Sequence, residues 1–152
     1  MLELYKPNYE DLWFRKQMVE DNETMSFNHS NGGTIDFDET KWNDWYDRWI
    51  VNDDNKFYSY LLDDGTNEFV GEVAYHLSDD RYLVNVIIYS KYRGKGYGIE
   101  GLKLLCNKAK ENNITELYDE IAIDNSSANM FLKYGFEEIT RNEKYLTVKK
   151  TL

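Results

Sequence analysis

The sequence contains very little of what usually cross-links, rigidifies or anchors a chain. Among its 152 residues there is one cysteine, Cys106, and one proline, Pro7. A single cysteine excludes an internal disulfide and any metal site built from several cysteines. No segment approaches the roughly 20 apolar residues of a membrane-spanning helix, and residues 1–6 lack the apolar stretch of a signal peptide. We therefore expect a soluble, cytoplasmic protein without a membrane partner.

Basic residues are also scarce relative to acidic ones. The 18 Lys and Arg against 28 Asp and Glu give a formal net charge of -10. Such a surface repels nucleic acids at long range and favours cationic partners such as amines. The negative charge could equally serve solubility alone, because net charge affects solubility and long-range association and does not identify a specific binding site. We expect no nucleic-acid partner, and a cationic small-molecule partner stays open.

Apolar residues, in contrast, are plentiful. They make up 41% of the chain, and aromatic residues make up 16%, which is enough to fold and too much for a disordered chain. The length fits one domain, residues 1–152, with a full core. No clustered spacing of His, Cys and Asp predicts a metal site, since the two histidines stand alone.

The residue patterns predict strands and helices in the order βααβββαβαββ. Helices are predicted over residues 8–21, 38–51, 97–112 and 126–134. Strands are predicted over residues 2–6, 56–62, 68–77, 82–89, 117–123, 136–139 and 145–149. The segment 28–34 is predicted to be a loop.

Two of the predicted helices carry informative apolar sides. In the second helix, aromatic residues recur at steps of three and four, which predicts a buried face, or alternatively a ring that lines a substrate site. These residues are Trp42, Trp45, Tyr46 and Trp49. Cys106 lies on the apolar side of the third helix, so we interpret it as a small core residue rather than a catalytic thiol.

The strand pattern indicates the fold class. Short polar turns join the three strands between residues 56 and 89, which predicts antiparallel neighbours. The strand over 82–89 is nearly continuous in apolar character and is predicted to be central, with both faces covered. A loop, a helix and the strand over 117–123 follow, which predicts a right-handed parallel crossover. The fold class is therefore mixed α/β (α+β), a mostly antiparallel central sheet flanked by helices.

The most informative segment lies between the strand over 82–89 and the helix over 97–112. Its residues are Arg93-Gly94-Lys95-Gly96-Tyr97-Gly98. Alternating glycines let several backbone N–H groups point at one place, and the following helix adds the positive end of its dipole. Lysine and arginine at 91, 93 and 95 form a basic cluster in an acidic protein. The expected ligand is a phosphate anion.

Other phosphate-binding loops fit this segment poorly. No Gly-Lys-Ser/Thr ends it, so it is not a Walker A loop. The glycines at 94, 96 and 98 do not match the dinucleotide fingerprint, and the unit follows an antiparallel region late in the chain. A tight strand-to-helix turn with incidental glycines is the structural alternative.

The pattern Arg93-x-x-Gly96-x-Gly98 is similar to the pyrophosphate loop of the GNAT acetyltransferases. Tyr92 before the loop and the late segment Lys133-Tyr134-Gly135-Phe136 also resemble that family. The resemblance is strong over residues 82–136 and weak over the remaining element order. It implies the acyl-CoA N-acyltransferase fold and an N-acetyltransferase that uses acetyl-CoA as its cosubstrate and needs no metal.

The resemblance also implies how acetyl-CoA is held. The end of the strand over 82–89 separates from the next parallel strand and pairs its free backbone groups with pantetheine, which brings an N–H near the thioester carbonyl. Asn125 matches the asparagine that contacts the pantetheine arm, although counting back from Gly135 puts Asp124 there and Ser127 at a family-like serine. The expected cofactor-binding residues are Ile87, Ile88, Tyr89, Arg93, Gly94, Lys95, Gly96, Tyr97, Gly98 and Asn125.

The reaction needs a neutral amine and a path for its proton, which a carboxylate provides directly or through water. Glu120 falls where ribosomal-protein acetyltransferases of the family keep a catalytic glutamate, so it is the first candidate for the base. Glu72 and Asp119 stand behind it, and each of the three could instead be a solvated strand residue. A tyrosine four residues before the late glycine often protonates the departing thiolate in the family, but Phe131 stands there. Water or another tyrosine is left for that role.

The function implied is transfer of an acetyl group to a primary amine of a small molecule or a protein N-terminus, by direct attack in a ternary complex. The segment 26–33, with His29, matches the part that covers the acceptor site in the family, and acidic segments 36–39 and 53–54 suit a cationic acceptor. A non-catalytic acyl-CoA-binding module on the same fold is the alternative, and a nucleotide-binding protein is the third interpretation. The acceptor's identity and a homodimer stay open.

Overall fold

Seven strands form one sheet in the computed structural model, which describes residues 1–152. The strands are β1 (Leu2–Tyr5), β2 (Lys56–Asp63), β3 (Glu68–Ser78), β4 (Arg81–Ile88), β5 (Glu116–Ala122), β6 (Glu137–Arg141) and β7 (Tyr145–Thr151). Their order across the sheet is β1-β2-β3-β4-β5-β7-β6. Only β4 and β5 are parallel, and the other neighbours are antiparallel. The predicted sheet class and the parallel crossover are confirmed.

Four α-helices accompany the sheet. They are α1 (Leu12–Val19), α2 (Trp42–Tyr46), α3 (Tyr97–Glu111) and α4 (Ala128–Lys133). A π-helical turn over Asp47–Val51 extends α2, and 3₁₀ turns cover Tyr9–Asp11, Ser26–Asn31, Glu39–Lys41 and Ser90–Tyr92. All four predicted helices are present. The first two are more broken than predicted, and the predicted loop over 28–34 begins inside a 3₁₀ turn.

The first helix ends earlier than predicted because side chains just beyond it offer their own acceptors. The carboxylate of Asp21 accepts from the Thr24 amide at 3.0 Å, and the carboxylate of Glu20 accepts from the Phe37 amide at 2.8 Å. Such acceptors compete with helical carbonyls for backbone N–H groups. The chain therefore leaves α1 at Val19 and continues as the α1–α2 connection, residues 20–41.

The sheet separates two hydrophobic cores. Successive strand residues point to opposite faces, and Val73 belongs to one core while Ala74 belongs to the other. The core under α3 and α4 includes Leu102, Leu105 and Cys106. Cys106 is buried, as predicted, and burial raises the pKa of its thiol to about 11.

The core under α1 and α2 is aromatic. Trp42 and Trp45 are buried, as the aromatic pattern of the second helix predicts. The spacing of Leu12, Trp13, Lys16 and Val19 predicts that Trp13 packs on the inner side of the first helix, but this prediction is wrong, because the ring is 52% exposed. Arg15 is buried instead, since it lies three residues from Leu12 and shares its side of the helix.

The strand β4 is central, as predicted, but only Val84 and Ile87 are buried on it. The expectation that both faces are covered along its length is wrong. The reason is that β5 pairs with β4 in parallel register at one residue pair, Leu83 and Tyr118. Beyond that pair the two strands separate and leave part of β4 uncovered.

Candidate active site

The separation of β4 and β5 opens a cleft of about 640 Å³. From Val84 to Ile88, β4 keeps a ladder partner only on its β3 side. The glycine loop (residues 93–98), the start of α3, the end of β5 and the turn Ser26–Asn31 border the same space. We call this space the large cleft. Its free strand edge offers backbone donors and acceptors to an extended ligand.

The glycine loop presents unused backbone amides at one end of the large cleft. Gly94 and Gly96 have φ angles of 80° and 81°, a left-handed conformation that glycine adopts without strain. The amides of residues 94–96 have no hydrogen-bond acceptor in the protein, and the first amides of α3 have none within the helix. Five consecutive N–H groups and the positive end of the α3 dipole therefore favour an anion here.

The two basic side chains of the glycine loop are not part of this array. The Arg93 guanidinium donates to the carbonyl oxygen of Glu23 at 3.2 Å and to that of Thr24 at 2.6 Å. Lys95 does not border the large cleft, and its Nζ lies 5.8 Å from the ring centre of Tyr92. The loop's direct donors are therefore main-chain groups, and the cations add charge nearby.

A hydrogen-bonded clamp ties the α1–α2 connection to the turn that precedes the glycine loop. The Asp21 carboxylate accepts from the hydroxyls of Thr24 at 2.5 Å and Ser90 at 2.8 Å, and the Ser90 amide donates to the Thr24 hydroxyl at 2.9 Å. Hydrogen bonds from Thr24 and then Ser90 lower the pKa of Asp21. The sequence analysis missed this clamp, because Ser90 lies 66 residues from Thr24 in the chain and the three residues form no motif.

The opposite wall of the large cleft is the loop after β5. His29 Nε2 lies 2.9 Å from the Asp124 carboxylate, so the turn Ser26–Asn31 is joined to this wall. The Asn125 side-chain oxygen accepts from the Ser127 amide at 3.0 Å, which leaves its NH₂ group unused. Asp124, Asn125 and Ser127 all border the cleft, so both registers proposed for the pantetheine contact stay open.

The predicted backbone contacts on β4 divide into two groups. Ile87 and Ile88 border the large cleft, as do all loop residues from 93 to 98 except Lys95. Tyr89 does not border it. Its amide donates to the Val70 carbonyl at 2.9 Å, and its ring packs edge-on against Phe14.

A second space lies where the two strands part. We call it the small cavity; its volume is about 390 Å³, and it is bordered by aromatic rings, by Arg15 and by the carboxylates Glu72 and Glu120. Both spaces share the residues Val84, Asn85, Asp119 and Glu120. A ligand in the large cleft and a ligand in the small cavity would therefore meet at the strand opening. The sequence analysis identified the carboxylates of the small cavity and, as an alternative to a buried face, the aromatic residues of the second helix as possible lining, but it missed Arg15.

The three candidate carboxylates differ in their surroundings. Glu120 is exposed at the junction of the two spaces. Glu72 is buried, and its oxygens accept from the Tyr58 hydroxyl at 2.6 Å and from the side-chain NH₂ group of Asn85 at 2.9 Å. This bonding makes Glu72 an anchor for its neighbours, whereas the Glu120 side chain has no hydrogen-bond partner in the protein.

Asp119 points to the opposite face of β5 from Glu120, because successive strand residues alternate. Its removal from water raises the pKa of the carboxyl well above its usual range, and this exceeds the lowering by the Glu120 amide. The open cleft keeps the residue half-exposed, so we expect the rise to be largest when a ligand closes the cleft.

The position at which a tyrosine is common holds a core residue. Phe131 is buried and packs edge-on against Phe136 at 5.1 Å between ring centres. Tyr134 does not border the large cleft, but Tyr145 at the start of β7 does. Tyr145 pairs with Ala122 near the end of β5. It is a tyrosine of the large cleft that the sequence analysis did not single out.

Two further properties concern other classes of site. No group of three or more His, Cys, Asp or Glu side chains lies together as metal ligands would. None of the helices combines the length and apolar character required to cross a membrane.

Comparisons with known proteins agree with this arrangement. The sequence model of one family, described as Acetyltransferase (GNAT) domain, matches residues 1–137. A search of curated proteins found no match. Among solved structures, the fold is similar to that of PaiA N-acetyltransferase from Thermoplasma acidophilum in complex with coenzyme A. That likeness has a TM-score of 0.75 and 15% identity over 100% of this chain and 99% of that chain.

Two other solved structures have the same fold. The spermidine N-acetyltransferase from Vibrio cholerae, in complex with CoA and spermine, gives a TM-score of 0.81 and 18% identity over 99% of this chain and 95% of that chain. The ribosomal-protein-alanine N-acetyltransferase from Brucella melitensis gives a TM-score of 0.77 and 19% identity over 100% of this chain and 99% of that chain. With the family match over residues 1–137, the conclusion is plain: this chain belongs to the GNAT acetyltransferase family.

Proposed function

We propose that this protein transfers the acetyl group of acetyl-CoA to a primary amine of a small molecule, within a ternary complex. The observation that carries the proposal is the meeting of two spaces at the β4–β5 opening. One has free backbone amides for a diphosphate, and the other has a carboxylate at the junction. Family membership supports the same reaction class.

The large cleft suits acetyl-CoA along its whole length. The amides of residues 94–98 would hold the pyrophosphate, because they converge with the α3 dipole and have no other acceptor. The free edge of β4 at Ile87 and Ile88 would pair with pantetheine, and Asn125 would donate through its unused NH₂ group. In this order the thioester would lie at the strand opening, beside Asn85 and Glu120.

The chemistry is direct attack by the amine. The amine nitrogen attacks the thioester carbonyl, the carbon–sulfur bond breaks, and CoA leaves as a thiolate. Glu120 accepts the proton that the amine loses, directly or through water. Tyr145 is our candidate for returning a proton to the thiolate, since its hydroxyl replaces the one that Phe131 lacks.

The size of the small cavity favours a small acceptor over a protein N-terminus. About 390 Å³ lies near the lower end of small-molecule sites. The aromatic walls at Trp45, Trp49 and Tyr58 would cover the apolar part of such a molecule.

A non-catalytic acyl-CoA-binding module is the second candidate, and the apolar Phe131 is the observation that favours it. Release of CoA thiol from acetyl-CoA, measured against a panel of amines, separates the two. Acetylation of at least one small amine, confirmed by the mass of the product, is the expected result. Tight acetyl-CoA binding with no turnover on any amine would favour the module.

A further inference from the structure

Arg15 is a buried charged residue whose hydrogen-bonding groups are not satisfied by the protein. Its side chain is about nine-tenths buried, yet no protein atom accepts a hydrogen bond from Nε or Nη1. A buried guanidinium without acceptors is costly, because it gives up its water and receives nothing in return. The proposed reaction has not used this group, although Arg15 borders the small cavity.

Two aromatic rings hold the Arg15 guanidinium in place without accepting hydrogen bonds from its N–H groups. Its central carbon lies 4.4 Å from the ring centre of Phe37 and 4.5 Å from that of Trp45. Cation–π contacts of this kind fix a guanidinium by its face and leave its N–H edge unused. The group is therefore rigid before any ligand arrives.

The one acidic neighbour does not complete the site. Glu72 Oε1 is 3.7 Å from Arg15 Nε, which balances charge but makes no hydrogen bond. The Glu72 oxygens are already occupied by Tyr58 and Asn85. A buried ion pair that served stability alone would need closer, hydrogen-bonded geometry to offset its desolvation.

No other cation borders the small cavity at neutral pH. His76 is the one other basic residue along it, and burial, then the nearby Lys56 charge, lower the pKa of its imidazole. Arg15 lines the same space as Glu120 at the strand opening. The cavity thus has an anion-seeking group and a proton acceptor within the reach of one small molecule.

We propose that the acceptor is a small amine that also carries a carboxylate, and that Arg15 binds this carboxylate while the amine lies beside Glu120. The inference rests on the proposed function and deepens it. A planar guanidinium matches a carboxylate through paired N–H donors. The site would reject a polyamine, because its second positive charge would lie against the Arg15 guanidinium. This differs from the cationic acceptor that the net acidic charge of the protein left open.

The test uses pairs of amines that differ in one group, a carboxylate in one member and the corresponding carboxamide in the other. The wild-type protein is expected to acetylate the carboxylate member with kcat/KM higher by about 10- to 100-fold, the range for a charged hydrogen-bonded contact. The matched acid without an amine is expected to compete with the acceptor.

Two variants and one control make the assignment specific. Arg15→Met with Glu72→Gln removes both charges together, so no buried carboxylate is left unpaired. This double variant is expected to keep acetyl-CoA affinity and to lose the carboxylate preference, chiefly through a higher KM. Arg15→Met alone is expected to lose the preference for the carboxylate members as well. Arg48→Met removes an exposed arginine and is expected to change nothing.

The outcomes separate this inference from the proposed function. Acetylation of amines with equal or better use of the carboxamide members would overturn the carboxylate assignment alone. A preference that persists in the folded double variant would also overturn it. Acetyl-CoA binding without turnover on any member would overturn both proposals.

Discussion

The two sides of the β4–β5 opening are built from different parts of the chain. In the large cleft, the groups that we propose hold the diphosphate are backbone amides of residues 94–98, which need glycine at a few positions and no particular side chain. In the small cavity, the polar groups are the side chains of Arg15, Glu72 and Glu120, which α1, β3 and β5 supply.

This difference explains what each side can reveal. A site made of main-chain amides leaves a short, local pattern in the sequence, because glycine is required where φ is positive. A site made of side chains from distant elements leaves no such pattern and depends on the fold to assemble it. The large cleft therefore indicates the cofactor class, and the small cavity holds the information about the acceptor.

The largest expected effect comes from closing the backbone site. Gly96→Glu puts a side chain on a residue with φ of 81° and a negative charge among the free amides. We expect acetyl-CoA binding to be lost in calorimetric titration. Gly96→Ala adds the backbone strain alone and should weaken binding by only about tenfold. Normal binding by Gly96→Glu would show that the loop does not hold the cofactor.

The next effect concerns the carboxylate at the junction. Glu120→Gln keeps the shape of the side chain and removes its basicity, so turnover at neutral pH should fall by about 100- to 10,000-fold. Acetyl-CoA affinity should be unchanged. Glu116→Gln, on the same face of β5 but outside both spaces, is the control. Equal kinetics for the two variants would remove Glu120 from the mechanism.

A moderate effect should follow from loosening the α1–α2 connection where Arg93 of the glycine loop holds it. Arg93→Ala removes the bonds to the Glu23 and Thr24 carbonyls. We expect faster proteolysis within residues 20–41 and a KM for the acceptor raised by about tenfold, as for loss of a charged hydrogen bond. Acetyl-CoA affinity should change less, since the loop's donors are amides. A loss confined to acetyl-CoA affinity would instead place the Arg93 charge on the cofactor.

The smallest effect is a pH-dependent change in stability at Asp119. Burial raises the pKa of this carboxyl, so the folded chain holds the proton more tightly than the unfolded chain. The resulting stabilisation is complete below the unfolded pKa of about 3.9 and is lost as the pH rises through the folded value. Asp119→Asn does not titrate.

Thermal unfolding should therefore give similar midpoints for Asp119→Asn and the wild-type protein near pH 4. At neutral pH the variant should be the more stable, by a few degrees, on the order of 1 kcal/mol. A difference between the two proteins that is constant with pH would contradict the raised pKa of the Asp119 carboxyl.

The sequence analysis succeeded where a structure is specified locally. The glycine loop, α3 and the parallel crossover follow from residue spacing over short windows, and they locate the opening between β4 and β5. On α1 the analysis was right for Leu12 and Val19, which are buried, and failed at Trp13 and Arg15. Both Trp13 and Arg15 belong to series of positions that recur at steps of three and four along the helix. Because arginine is rarely buried in a core, the pattern favours Trp13, whereas the structure buries Arg15.

The remaining misses have the same cause. The α1–α2 connection is shaped by Asp21, Thr24 and Ser90, whose contacts exist only in the folded chain. The small cavity likewise joins residues from six elements of the fold, when the π-helical turn is counted with α2, and no window of sequence contains them. Long-range packing, rather than propensity, decides both features.

The most direct measurement is an NMR titration of the backbone amides. Coenzyme A should move the amide resonances of Gly94, Gly96 and Gly98 strongly downfield, because their N–H groups would gain an anionic acceptor. Pantetheine, which lacks the diphosphate, should leave them nearly in place, and Gly65 in the β2–β3 turn should not respond to either compound. Unmoved glycine-loop amides in the presence of saturating coenzyme A would contradict a main-chain cofactor site.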